Sequence, residues 1–149
     1  MRFVVLHHTG WPGHDDHYDL MLQTEPGAGD ADAVLRTFAS LTDEFPDGRS
    51  HADARQRDAS ATGPDARANL LRLIDDHRRA YLNLEGGLSG GRGRVERIDA
   101  GELAWLQPPD ADSLLFRFEL SGARLKGGFR LRHMGGGIYA FERLRRVPN

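Results

Sequence analysis

Cysteine is absent from this 149-residue chain. That excludes disulfides, thiolate nucleophiles and cysteine-ligated zinc, so any metal must be held by imidazole and carboxylate. No apolar run approaches the ~20 residues that a membrane-spanning helix needs. The opening Met1 to Leu6 stretch has no signal-peptide architecture, because its apolar segment reaches histidine within a few residues. These absences predict a cytoplasmic protein with no membrane partner. Lysine is nearly absent as well: nineteen of the twenty basic residues are arginine. The planar arginine fork matches phosphate oxygens, although a GC-rich coding preference accounts for the same bias. A chain of this length buries a core unaided, and a single domain over residues 1–149 is expected.

Charge is divided unevenly. Residues 1–85 carry nine basic against fifteen acidic side chains, whereas residues 86–149 carry eleven against seven. An acidic, histidine-bearing part therefore precedes an arginine-rich one.

What the chain does have is histidine in one place. Four of its seven histidines, His7, His8, His14 and His17, fall within eleven residues and lead into His17-Tyr18-Asp19. Residues 2–8, rich in β-branched and aromatic side chains, predict a strand. A turn follows at Gly10, Pro12 and Gly13, then a second strand from His17 to Gln23. Strand side chains alternate faces, so His17, Asp19, Met21 and Gln23 share one face and Tyr18, Leu20 and Leu22 the other. His8, His17 and Asp19 would then supply two imidazoles and a carboxylate from adjacent strands, leaving further coordination positions open. His7 and His14 compete with His8 for the same role, and the plainer alternative is a solvated cluster beside a surface turn.

Further along, residues 33–41 suit another strand or a short helix, and Thr42 to Gly63, almost wholly polar, predicts a long mobile loop. His51 within it is set aside. Residues 65–82 read either as an amphipathic helix started by Pro64 or as a strand ending at Asp75. In the helix reading His77 and Tyr81 share a face one turn apart. Imidazole suits proton donation near neutral pH, and Tyr81, Arg78 and Arg79 can hold phosphate oxygens; a solvated surface helix is the plainer reading. The segment Gly86 to Gly93 is a glycine-rich loop whose N–H groups can approach an anion, without the terminal Lys-Ser/Thr of a P-loop; a flexible hairpin loop is the plainer reading. Thereafter strands at 94–98, 114–120, 124–133 and 138–144, separated by turns at Ala100-Gly101, Ser121-Gly122 and Gly135–Gly137, describe a β meander. The fold class expected is mainly β: a small antiparallel β-barrel with one or two short helices and a long polar loop.

Four pieces in order, Phe3-Val4-Val5-Leu6-His7-His8, His17-Tyr18-Asp19-Leu20-Met21-Leu22, Asp76-His77-Arg78-Arg79-Ala80-Tyr81 with Glu85-Gly86, and Gly122-Ala123-Arg124-Leu125-Lys126-Gly127-Gly128-Phe129-Arg130-Leu131, resemble the 3′-phosphoesterase domain. That domain is found at the N-terminus of many bacterial DNA ligase D proteins and as a stand-alone protein. The resemblance implies a small β-barrel with a polar crater, a manganese ion held by His8, His17 and Asp19, and DNA 3′ ends bearing a ribonucleotide or a phosphate as substrates. It implies that His77 and Tyr81 contact the scissile phosphate, and it suggests a DNA ligase or polymerase as partner. The chain departs from the pattern in three places. Met21 stands where ligase-linked members usually carry arginine, Leu6 or His7 replaces a glutamine, and the turn between the metal histidines is longer by Trp11, His14, Asp15 and Asp16. Arg78, Arg79 or Arg92 are candidates for the missing phosphate contact. Two other functions fit the same residues: a non-catalytic module that binds nucleic-acid ends or a ligase, and a phosphoesterase acting on a small nucleotide.

Overall fold

A computed structural model describes residues 1–49 and 67–145. Its order is β1 (Arg2–Thr9), β2 (His17–Gln23), β3 (Leu35–Ser40), β4 (Leu70–His77), a 3₁₀ turn at Arg79–Asn83, β5 (Gly86–Gly87), a second 3₁₀ turn at Ser89–Gly91, β6 (Arg94–Trp105), β7 (Leu115–Ser121), β8 (Lys126–Gly135) and β9 (Ile138–Arg143). All pairings are antiparallel and run β1-β2-β3-β4-β9-β8-β7-β6-β5. β1 also pairs with β6, so the sheet closes into a barrel-like ring. Closure removes the exposed edges that an open sheet would present.

The ring interior follows from period-two patterning. β7 alternates strictly, with Phe116, Phe118 and Leu120 inward. Phe3 and Val5 of β1, Leu20 and Leu22 of β2, Phe38 of β3, and Phe129 and Phe141 of β8 and β9 belong to the same cluster. β2 is different, for it is buried on both faces. Its outward face lies in a second cluster of Val4, Leu6, Met21, Val34, Leu35, Tyr81, Leu82 and Val95, covered by the Arg79–Asn83 turn. Each large apolar side chain so covered contributes about 1.5–3 kcal/mol. Among the described residues this second layer lies over β1, β2, the start of β3 and the start of β6.

Several sequence expectations need correcting. The helix over 65–82 does not form from residue 70 onward: Leu71 and Leu73 face the interior with period two and the strand runs to His77, past the expected end at Asp75. Pro64 lies outside the described residues, as do His51 and residues 50–63 of the expected loop. The described part of that loop is anchored: Phe45 packs against the interior cluster, and Gly48 is hydrogen-bonded to Asn69 and to Arg143. Residues 33–41 resolve to a strand. Ala100-Gly101 is no turn but the middle of β6. Gly101 is there because a Cβ would sit 2.1 Å from the Ser121 carbonyl oxygen of the neighbouring chain segment.

The turn that begins at Gly122 has a structural role. The Asp99 carboxylate of β6 accepts hydrogen bonds from the backbone N–H groups of Ala100, Ala123, Arg124 and Leu125, at 2.7–3.2 Å. Gly122 lets this turn close over it, since a Cβ would lie 2.6 Å from both Asp99 and the Phe3 ring. Gly122 to Leu125 is thus a backbone nest around a buried anion.

Candidate metal and phosphate site

The register of β1 on β2 places His8 opposite His17 and Leu6 opposite Asp19. His8, His17 and Asp19 therefore share the outward face, one step beyond Leu6 and Met21 of the covering cluster. Their ligand atoms lie within 4.8 Å of one another, the one such group of three among the described residues. His7 points to the other face, where it stacks on Tyr18 with ring centroids 4.3 Å apart and meets Asp43 at 2.6 Å. His14 is exposed and stacks on Trp11. The geometry thus selects His8 from the three competitors.

Backbone carbonyls orient both rings. His8 Nε2 lies 2.6 Å from the Arg92 carbonyl oxygen, and His17 Nδ1 lies 2.9 Å from that of Asp15. A carbonyl oxygen only accepts, so in each ring that nitrogen carries the proton. The other nitrogen, Nδ1 of His8 and Nε2 of His17, faces Asp19 at 3.8 and 3.2 Å. In the neutral tautomers two lone pairs and a carboxylate then converge, an arrangement that calls for a cation between them. Asp19 is 3% exposed, and its Oδ1 is buried with His17 Nε2 3.2 Å away and no fixed donor of its own. Such an orphaned oxygen is costly unless a positive charge is present.

Electrostatics point the same way. Burial lowers the His17 pKa, yet contact with the Asp19 carboxylate, with help from the Asp15 carbonyl and the Asp16 charge, carries it up to about 9. Burial pushes the Asp19 carboxyl up, but His17 and His8, with the more distant His77, hold it below the usual carboxylate range. Either a proton on His17 or a divalent cation satisfies the cluster. Two imidazoles anchored by carbonyls and one carboxylate fit a divalent metal with open positions.

His77 reaches this face by a bulge. Leu35 pairs with His77 and Thr37 with Ile74, so two steps on β3 face three on β4. The extra residue flips His77 away from the face of Leu71 and Leu73 and onto that of Leu35. Its ring meets Tyr81 edge-on, with centroids 4.9 Å apart, and its Nδ1 lies 2.9 Å from the Asp75 carbonyl oxygen. His77 and Tyr81 are therefore together, as the sequence suggested, but at a strand end and a 3₁₀ turn rather than on one helix.

The three candidate phosphate arginines differ. Arg78 is exposed, with its guanidinium 5.9 Å from the Tyr81 ring centroid. Arg79 reaches Asp30 at 3.4 Å, and its Nε is buried without a partner. Arg92 folds back on Ser89, and its carbonyl rather than its guanidinium serves the site. Met21 is 1% exposed within the covering cluster. Sequence reasoning missed the Arg92 and Asp15 carbonyls, which carry no residue-type signal. It also missed the role of Gly93, whose φ of +81° and close approach to Thr9 bring the glycine-rich loop onto β1; a Cβ there would lie 2.1 Å from the Thr9 oxygen. No family model and no curated protein matches the chain.

Proposed function

We propose that the chain is a divalent-metal-dependent phosphoesterase that processes DNA 3′ ends, removing a 3′-ribonucleotide or a 3′-phosphate, with manganese as the expected metal. The observation that carries this reading is the convergence of His8 Nδ1 and His17 Nε2 on an orphaned Asp19 oxygen, with each ring locked by a backbone carbonyl. His8, His17 and Asp19 would hold the metal, which when bound neutralises a phosphate oxygen and lowers the pKa of water. His77, its Nδ1 proton committed to the Asp75 carbonyl, would in the imidazolium form donate its Nε2 proton to the departing oxygen. Tyr81 fixes the His77 ring edge-on, and Arg78 beside it offers a bidentate donor to a non-bridging phosphate oxygen.

The test is hydrolysis of a labelled primer-template ending in a 3′-ribonucleotide or a 3′-phosphate, across Mn, Zn, Ni and Co, comparing wild type with His17→Ala. Metal-dependent trimming lost in the variant is the expected result. Trimming retained by His17→Ala sinks the metal assignment. Met21, buried and uncharged where ligase-linked members of the resembled family usually carry arginine, favours a second reading: a non-catalytic module for nucleic-acid ends or a ligase. That reading predicts end binding that weakens steeply with salt and no trimming under any metal.

A further inference from the structure

The turn joining β1 to β2 carries an aromatic column whose innermost member is a metal-site histidine. Trp11-Pro12-Gly13-His14 is closed by the His14 N–H donating to the Trp11 carbonyl oxygen at 3.0 Å. Proline at the second position and Gly13 with φ of +82° at the third meet the demands of a type II turn. This brings the first and fourth side chains together: the Trp11 and His14 rings lie 3.5 Å apart and 14° from parallel. Trp11 stacks in turn on His8, at 5.3 Å and 18°. The turn is pinned by the Gly10 N–H on Asp16 Oδ1, at 3.1 Å, and by the contact of Gly93 with Thr9. His14 is exposed and Trp11 half-buried. Asp15 and Asp16, also exposed, flank this wall, whereas Arg78 lies beside Tyr81 on the wall that follows β4.

We propose that the Trp11–His14 pair is a nucleobase platform: the base of the 3′-terminal nucleotide stacks on it while the phosphate lies at His8, His17 and Asp19. The assignment rests on the phosphoesterase reading and adds which part of the nucleotide the longer turn recognises. Charge gives the orientation. Asp15 and Asp16 repel a phosphate chain but tolerate a neutral base, and aromatic stacking accepts every base through its π-face.

The experiment measures calorimetric binding of thymidine 3′-monophosphate and of its base-less counterpart, 1,2-dideoxyribose 3-phosphate, in the presence of Mn²⁺, alongside Mn²⁺ binding alone. Wild type should prefer the base-bearing ligand by about tenfold or more, the range that one stacked base supplies. Trp11→Phe should keep most of that preference, and Trp11→Ala and His14→Ala should bring the ratio toward one while leaving Mn²⁺ affinity within about threefold. His14 is exposed, so its variant carries the test should Trp11→Ala fail to fold. A wild-type ratio near one overturns the platform, and so does a ratio that stays high in both alanine variants. Loss of Mn²⁺ binding in step with both ligands would show the column to be only a brace for His8. If metal-dependent trimming fails while the ratio holds, the phosphoesterase reading falls and the platform stands. If trimming holds with a ratio near one, the reverse is true.

Discussion

Two aspartates are buried to nearly the same depth, Asp19 at 3% and Asp99 at 4% exposure, and their surroundings are opposite. Asp99 spends both oxygens on four backbone N–H groups, that of Ala100 beside it and three that fold the Gly122–Leu125 turn around it. Asp19 spends neither on the backbone and faces two imidazoles whose far nitrogens are committed to carbonyls. A buried carboxylate satisfied by amides has no use for a cation, whereas one facing lone pairs requires it. The difference separates a carboxylate satisfied within the fold from one left facing a candidate cation site, although both stand in β-strands of the same ring and neither is distinguishable by burial.

The largest effect should come from removing Asp99. Asp99→Ala leaves one buried and three part-buried N–H groups without their acceptor and should cost about 3–5 kcal/mol of stability, seen as a lowered urea midpoint. Metal affinity of whatever remains folded should be near normal. A midpoint within experimental error of wild type would remove the structural half of the comparison. Asp19→Asn should do the reverse: a stable protein whose divalent-metal affinity and trimming rate each fall by about 100-fold or more, exceeding the 10–100-fold typical of losing an outer partner. Unchanged manganese binding by calorimetry would show that the three donors do not act together.

Period two was enough to read β2 to its residues, to put His17 and Asp19 on one face, and to foresee a mainly β chain. It could not choose between His7 and His8, because that choice depends on the register of β1 against β2, a long-range property. The bulge before His77 was hidden for the same reason: strict alternation assigns His77 to the interior face with Leu71, and only the pairing with Leu35 turns it outward. Gly101 looked like a turn because a glycine needed for close strand approach and a glycine needed for positive φ are the same letter. Asp99 carried no signal at all, since a residue satisfied by the backbone of a turn some two dozen positions away leaves no local pattern.

Each region also depends on one glycine, which gives a sharper and smaller contrast. Gly122→Ala crowds the Asp99 carboxylate and the Phe3 ring at 2.6 Å and should cost about 1–3 kcal/mol of stability without touching metal affinity. Gly93→Ala sets a Cβ 2.1 Å from the Thr9 oxygen in a left-handed conformation, so the glycine-rich loop must lift and carry the Arg92 carbonyl off His8. Metal affinity should fall about 10–100-fold, with the three donor residues intact and a native circular dichroism spectrum. Equal effects of both substitutions on metal binding would mean that the two regions are not separable.

The smallest effect concerns the proton that stands in for the metal. In chelator-treated protein the folded His17 pKa, carried up to about 9, lies above the ordinary histidine value of 6.5. The folded state therefore binds the proton more tightly, and the stabilisation is fully present below pH 6.5 and is lost as pH rises through 9. Urea midpoints should fall between pH 6.5 and 9.5, and the His17 ring resonances should titrate near 9 by NMR. In Asp19→Asn the ring loses the largest influence that raises its pKa while burial, which lowers it, remains; most of the pH dependence in that window should vanish. A ring that titrates near 6.5 in wild type would mean that His17 Nε2 does not face the carboxylate in solution, and the orphaned oxygen of Asp19 would then need a different partner.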